Sequence, residues 1–484
     1  MFTVIIFGGF MFKSLNRGKE FYRLLFKLSL PVMLQNLLNS SLVMVGTFML
    51  GQLGETEIAA ATLANTPFFV IQLLIFGFQS GSSVLLSQYW GKKDLKSINK
   101  ILGICVYSCF GITLVFSVLC FSFADNIMAA ISRDPDIVRL AAQFMRITAF
   151  SYVLNAISVV YISAQRSLGS PRLGLVILTN TVIIDTSLSF ILIFGKLGLP
   201  AMGIKGAAYA VLIARVIEFI LTMFYAFFIQ GKLKLDIKNL LRPGKTFLRD
   251  FMHYSGPVVL NETIWGIGFS LYGVIYSLMD KSYLAAYTVA GNIDKIISSA
   301  IFGFAIAGGI TIGQLIGAGK EKEARETGKT FNILSGLIGI ILSAALLAVA
   351  PLIIGQFNLP PSTTVVVKQF ILVMAGVIIV RCNLVVNIIG TLRAGGDTRF
   401  VFAIDTGYMW LLCLPLAAVF GLVLHLPVIW VMLMPALEDL LKWLSGLLRF
   451  LSGKWINNVT RAETELYEGG EVLDSQIITH VVES

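Results

Sequence analysis

Residues 254–276 read YSGPVVLNETIWGIGFSLYGVIY, an apolar, helix-compatible stretch with a carboxylate, Glu262, near its middle. With the basic run before Leu248 at one membrane surface and a rise of about 1.5 Å per residue, Glu262 lies roughly 15–20 Å deep. A charge at that depth is costly, so an intramembrane acid marks a functional site by default. Pro257, just after Gly256, removes a helix hydrogen bond and invites a kink. Glu262, Trp265, Phe269, Tyr272 and Tyr276 recur at steps of three and four and share one helical face. An acid beside aromatic faces suits an organic cation. The same stripe also suits a packing seam around one buried, protonated Glu.

The surrounding chain explains why such a stretch spans a membrane. Of 484 residues, 56% are hydrophobic and only 13% charged, and the mean hydropathy is +0.84. A soluble chain of this length needs far more charged surface, so the sequence reads as a polytopic membrane protein. Its apolar runs of about 20–30 residues favour helices over barrel strands. Lys and Arg exceed Asp and Glu by 37 to 27, a formal charge of +10. That excess lies in short loops, so it speaks to orientation and not to nucleic acid. The five cysteines (Cys105, Cys109, Cys120, Cys382 and Cys413) sit inside apolar segments and form no ligand motif with His. Cys105 and Cys109, one turn apart, read as lipid-facing. His253, His425 and His480 are scattered, so no zinc site or triad is indicated and no cofactor is expected. An intramembrane enzyme would need nucleophile, base or metal ligands clustered at one depth.

Taken in order, the chain opens with MFTVIIFGGF, too short to span and followed by no small-residue cleavage site. Met11 is an alternative start, ahead of a basic amphipathic segment. Apolar runs predict twelve helices at 25–50, 57–88, 99–124, 137–164, 173–196, 203–229, 250–278, 284–315, 329–355, 363–391, 400–423 and 426–450. Lys and Arg concentrate in alternate loops, including Lys92, Lys93, Arg166, Arg172, the 232–249 segment, Lys320, Lys322, Arg393 and Arg399. The positive-inside rule then places both termini in the cytoplasm. The expected organisation is a cytoplasmic segment (1–24), a first six-helix lobe (25–230), a basic linker (231–249), a second lobe (250–452) and a polar, mobile tail (453–484).

The halves repeat. Ser29, Pro31, Val32 and Leu34 match Ser255, Pro257, Val258 and Leu260 at an offset of 257 − 31 = 226. The same offset aligns AAATLA (59–64) with AAYTVA (285–290), and Gln88 and Gly91 with Gln314 and Gly317. Arg166-x-x-Gly169-x-x-Arg172 aligns with Arg393-x-x-Gly396-x-x-Arg399 at 227. Six helices per unit is an even number, so both units enter the membrane in the same sense. That is a parallel repeat about the membrane normal, with a binding site expected between the halves.

This 6+6 repeat, together with GxxxxxxQYWGKKD (81–94), GKLGLPAMGIKGAA (195–208), LNETIW (260–265), GQLIGAGKEKEA (313–324) and GTLRAGGDTR (390–399), resembles the multidrug and toxic compound extrusion (MATE) transporters. The likeness runs over about residues 24–460. It implies an all-α polytopic membrane protein whose two six-helix lobes form a V-shaped bundle. It also implies export of organic cations or amphiphilic drugs in exchange for Na⁺ or H⁺, by a monomer in the cytoplasmic membrane of a prokaryote. The family's helix 7 acid falls on Glu262 and its helix 5 acid on Asp185. Two departures stand out: Gly46 occupies the place of the family's helix 1 acid, and helix 10 carries Arg381, Cys382, Asn383 and Asn387 where an acid is expected. Coupling therefore rests on Glu262 and Asp185, with Na⁺ an alternative to a proton at Glu262.

Further polar positions complete the expected site. Asn36 stands opposite Glu262 in the repeat and, with Asn39 and Asn261, is a candidate cavity residue. Asn180 is a candidate neighbour of Asp185, which a structural hydrogen bond would also explain. Asp405 sits about a turn and a half from the membrane surface, within reach of water. Asp294 or Lys295 could face Glu262. Arg215 with Glu218, and Glu438 with Lys442, have the spacing of self-neutralising helical pairs. The expected cycle is alternating access, in which cation and drug compete for one carboxylate. A flippase for a lipid-linked saccharide is the alternative, and it would want a basic cavity.

Overall fold

The computed structural model describes residues 15–229, 231–356 and 360–461. Twelve long helices build it: α1 (Gly18–Gly51), α2 (Glu55–Gly91), α3 (Leu95–Ser122), α4 (Pro135–Ser167), α5 (Arg172–Phe194), α6 (Gly203–Phe224), α7 (Gly256–Met279), α8 (Lys281–Gly317), α9 (Glu321–Gln356), α10 (Pro361–Asn387), α11 (Thr398–Tyr408) and α12 (Val428–Ser452). Wider turns prolong α6 through Tyr225–Ile229 and α10 through Ile388–Arg393, and α11 continues through Met409–Cys413, Leu414–Ala418 and Val419–Val423. Among the described residues, the first eleven of these spans are long and apolar enough to cross a membrane. The last, α12, is long enough but carries Glu438, Asp439, Lys442 and Arg449.

Every expected span is present, and the ends differ for local reasons. α1 begins at Gly18 and not 25, because the basic residues Lys19, Arg23 and Lys27 continue the helix beyond the apolar run. α9 begins at Glu321 and not 329; Glu321 and Glu323 occupy its first turn, where the helix dipole favours negative charge. Asp94, Asp134 and Asp280 cap α3, α4 and α8 by accepting backbone N–H bonds from Ser97, Asp136 and Ser282 at 3.0, 2.9 and 2.6 Å.

The helices form a two-lobed V in which the repeat is visible as reciprocal packing. α1 of the first half lies along α8 of the second, and α7 of the second lies along α2 of the first. α2 and α8 meet at the junction, closest at the end bearing the basic turns. A Cβ on Gly91 would collide with the backbone carbonyl of Gln314, and one on Gly317 with the carbonyl of Gln88. Only glycine permits that approach, and the two contacts exchange under the repeat.

Two expectations, for the paired cysteines and for the start of the tail, are corrected here. Cys105 and Cys109 are fully buried, facing α2 and α4 and not lipid, because their small side chains let those helices approach closely. The linker is docked through short helices at Ile237–Leu241 and Lys245–Tyr254, the second burying Phe247 and Phe251 in the first lobe's core. Asp236 caps the first of these. Hydrogen bonds from the Asn239 side chain and backbone hold its carboxyl below the usual range. The tail begins as a strap: Trp455 is wholly buried, the Asn457 N–H donates to Gly395 O at 2.8 Å, and Arg461 pairs with Asp250 through two bonds of 2.6 and 2.7 Å. MFTVIIFGGF, Met11 and the acidic run from Glu463 lie outside the described residues.

Candidate functional site

Glu262 sits on α7 with 8% of its surface exposed, at the inner face of the second lobe. It does not stand alone. Arg393, 3% exposed, forms a buried ion pair with it and also donates from Nη1 to Ser80 Oγ at 3.3 Å. The sequence places Arg393 in a loop; the wide turn Ile388–Arg393 instead carries it into the bundle. Such turns occur often at functional positions.

The pair opens onto a chain of charge across α7, α10, α11 and α12. Asp405 Oδ2 lies 3.9 Å from Arg393 Nη2 and accepts from Asn261 Nδ2 at 2.7 Å. Its other oxygen pairs with Lys442, whose Nζ also donates to Glu438 Oε1 at 2.6 Å. Tyr272 closes the chain, donating to Glu438 Oε2 at 2.9 Å. Three carboxylates (Glu262, Asp405, Glu438) thus face two bases (Arg393, Lys442), leaving 3 − 2 = 1 surplus negative charge when all are ionised.

Several expectations change against this geometry. Asp405 is 9% exposed and locked to Lys442, so water does not reach it freely. Glu438 and Lys442 do pair, yet Lys442 is shared with Asp405, a link no helical spacing reveals. Asp294 faces Arg381 at 2.8 Å and not Glu262, while Asp439 holds the same guanidinium at 2.7 Å; Lys295 is exposed. The aromatic stripe divides. Tyr272 and Tyr276 are buried in the second lobe's core, whereas Trp265 and Phe269 stack at 5.3 Å and remain partly exposed. One helical face is too long to line one pocket, so its two ends meet different neighbours.

In the first lobe, Asp185 is 8% exposed and, among the described residues, its Oδ1 has no hydrogen-bond partner. Asn180 does not join it; Asn180 is exposed and its amide bonds its own helix at Val176 O. Arg215 pairs with Glu218 at 2.6 Å as its spacing indicates, and Glu218 is held further by Asn155 at 3.3 Å. Asn36 reaches across the junction to Ser299 O at 3.3 Å, while Asn39 is exposed. Among the described residues, no group of three or more His, Cys, Asp or Glu could hold a metal ion.

Two parallel six-helix lobes with buried charge at their junction define a membrane transporter of the repeat class. The model of the MatE family matches residues 31–191 and again 257–419, two copies whose starts differ by 226, and the chain belongs to that family. It is 26% identical over 443 residues to an uncharacterized transporter, YisQ, of Bacillus subtilis, covering 89% of this chain and 94% of that one. It is 22% identical over 438 residues to the probable multidrug resistance protein NorM of Thermotoga maritima, covering 90% and 93%. A solved outward-facing MATE transporter superposes with a TM-score of 0.79 at 17% identity, over 91% of this chain and 96% of that one.

Proposed function

We propose that the protein is a secondary antiporter that exports organic cations or amphiphilic drugs in exchange for H⁺ or Na⁺, acting as a monomer in a prokaryotic cytoplasmic membrane with both termini inside. The observation that carries this reading is the buried Glu262–Arg393 pair at the junction of the repeats, within a network one positive charge short of neutral. One proton, one Na⁺ or one monovalent drug supplies that charge. The pair with Arg393 does not close the site, because Asp405 at 3.9 Å offers the guanidinium a second partner. In the cycle, a cation arriving at Glu262 releases Arg393 toward Asp405, and the drug loses its counter-charge. When the cation departs to the cytoplasm, the freed carboxylate receives either Arg393 or the next drug. Asp185, buried with an unpartnered oxygen, serves the first lobe in the same sense.

The test is uptake of a fluorescent organic cation into proteoliposomes driven separately by a pH gradient and a Na⁺ gradient. One gradient drives uptake in the wild type, and Glu262→Gln abolishes it. Unchanged, ion-dependent uptake in E262Q removes the proposed exchange site.

A further inference from the structure

On the basic side of Glu262, between the lobes, lies a narrow cavity lined by Gln79, Ser80, Ser83, Arg166, Ile310 and Arg393, among others. It has room for one or two water-sized guests, about 30 Å³. Its two arginines come from equivalent places in the repeats, 393 − 166 = 227 positions apart, so the pseudo-twofold brings one from each lobe to the same space.

The charges do not balance there. Glu262 neutralises Arg393, but the only hydrogen bond Arg166 makes among the described residues is to Ser163 Oγ at 3.0 Å, and no carboxylate pairs with it. The lining itself thus holds two guanidiniums and no acid, the surplus negative charge of the network lying behind Arg393 at Asp405 and Glu438. Its hydrogen-bonding capacity is equally one-sided. Arg393, 97% buried, leaves its Nε–H without an acceptor among the described residues. Ser80 Oγ accepts from Arg393, and its own hydrogen has no acceptor among the described residues. Ser83, by contrast, already donates to Ser80 O at 3.0 Å. Unused donors and two guanidiniums, with no acid among them, lining a small, partly open space are the conditions for holding an anion.

We propose that this cavity is a binding site for a monatomic anion of halide size, held between Arg166 of the first lobe and Arg393 of the second. A lipid-linked pyrophosphate is far larger than the space; a halide matches it. Such an anion bridges the lobes where they close, so it must leave one arginine when they part. The proposal does not rest on the antiport reading, since anion binding is read without transport.

The test uses the full chain in a neutral detergent and chloride-free buffer, with sodium bromide replacing sodium gluconate at constant Na⁺. The wild-type unfolding midpoint should rise saturably by about 2–4 °C. Arg166→Gln should lose that rise and Arg166→Lys should keep most of it. A wild-type midpoint that bromide does not move, or a rise of equal size in R166Q, overturns the proposal. Should R166Q not fold, Ser80→Ala must raise the half-saturating bromide concentration several-fold; an unchanged value overturns the site equally.

Discussion

The Glu262–Arg393 pair can be tested as a unit before any substrate is known. Both groups are more than nine-tenths buried, so removing either strips its partner of its nearest counter-charge away from water. Breaking a buried pair in this way costs about 3–5 kcal/mol. Asp405, 3.9 Å from Arg393, takes up part of the loss when Glu262 becomes Gln, which places E262Q near the lower end, about 3 kcal/mol. Among the described residues no second base pairs with Glu262, so R393Q should reach the upper end. At about 1 °C per kcal/mol for a chain of 484 residues, the midpoints fall by roughly 3 °C for E262Q and more for R393Q. The double variant E262Q/R393Q exchanges the ion pair for two neutral groups of similar shape. It should lie above the sum of the single losses by about 1–3 kcal/mol. The assay is thermal unfolding of all four proteins in one detergent. Additive losses, with no coupling beyond about 0.5 kcal/mol, would show that the two side chains do not act as partners. Transport separates stability from coupling: the double variant recovers stability relative to that sum and remains inactive, since it has no carboxylate at 262.

Other consequences are as direct. Lys442→Met strips two buried carboxylates, Asp405 and Glu438, of their base, and should lower the yield of folded protein more than any other single change in the network; D405N introduced beside it should recover part of the loss on size-exclusion chromatography. Trp455→Ala empties a fully buried site in the strap and should cost about 3–5 kcal/mol, read as a lower unfolding midpoint. Gln88 and Gln314 are repeat equivalents with unequal duties. Gln88 bonds Ala394 O (2.9 Å), Asn457 O (3.2 Å) and the Val459 N–H (2.9 Å), while Gln314 bonds Ser167 O alone (2.9 Å). Gln88→Leu should therefore destabilise more than Gln314→Leu, about 1–3 kcal/mol for each group left unsatisfied, and equal losses would argue against the strap as a tie between the lobes.

What the sequence made legible was whatever is written along one helix or repeated between the halves. Hydropathy located all twelve spans, and the 226-residue offset marked the two halves as equivalent, whereas the packing of α1 on α8 and α7 on α2 is visible only in the structure. The Arg215–Glu218 pair followed from spacing alone. The partners of Glu262 did not follow, because Arg393 lies 131 positions away and only a wide helical turn carries it inward. GTLRAGGDTR reads as a basic loop on any scale of loop charge. Its equivalence to the 166–172 motif was visible, but not which of the two arginines would find an acid.

That difference is where the repeat stops being a symmetry and becomes a mechanism. Arg166 and Arg393 began as equivalent positions, yet only the second lobe places an acid, Glu262, opposite its arginine; the equivalent position in the first lobe is Asn36. The second lobe thus holds charge that can be neutralised by a moving cation, and the first presents a neutral amide that bonds to Ser299 across the junction. Two identical lobes would rock without preference for either occupant. An acid paired with the junction arginine in one lobe only would make the energy of the junction depend on whether a cation is present, and on the proposed antiport reading that dependence is what a gradient drives.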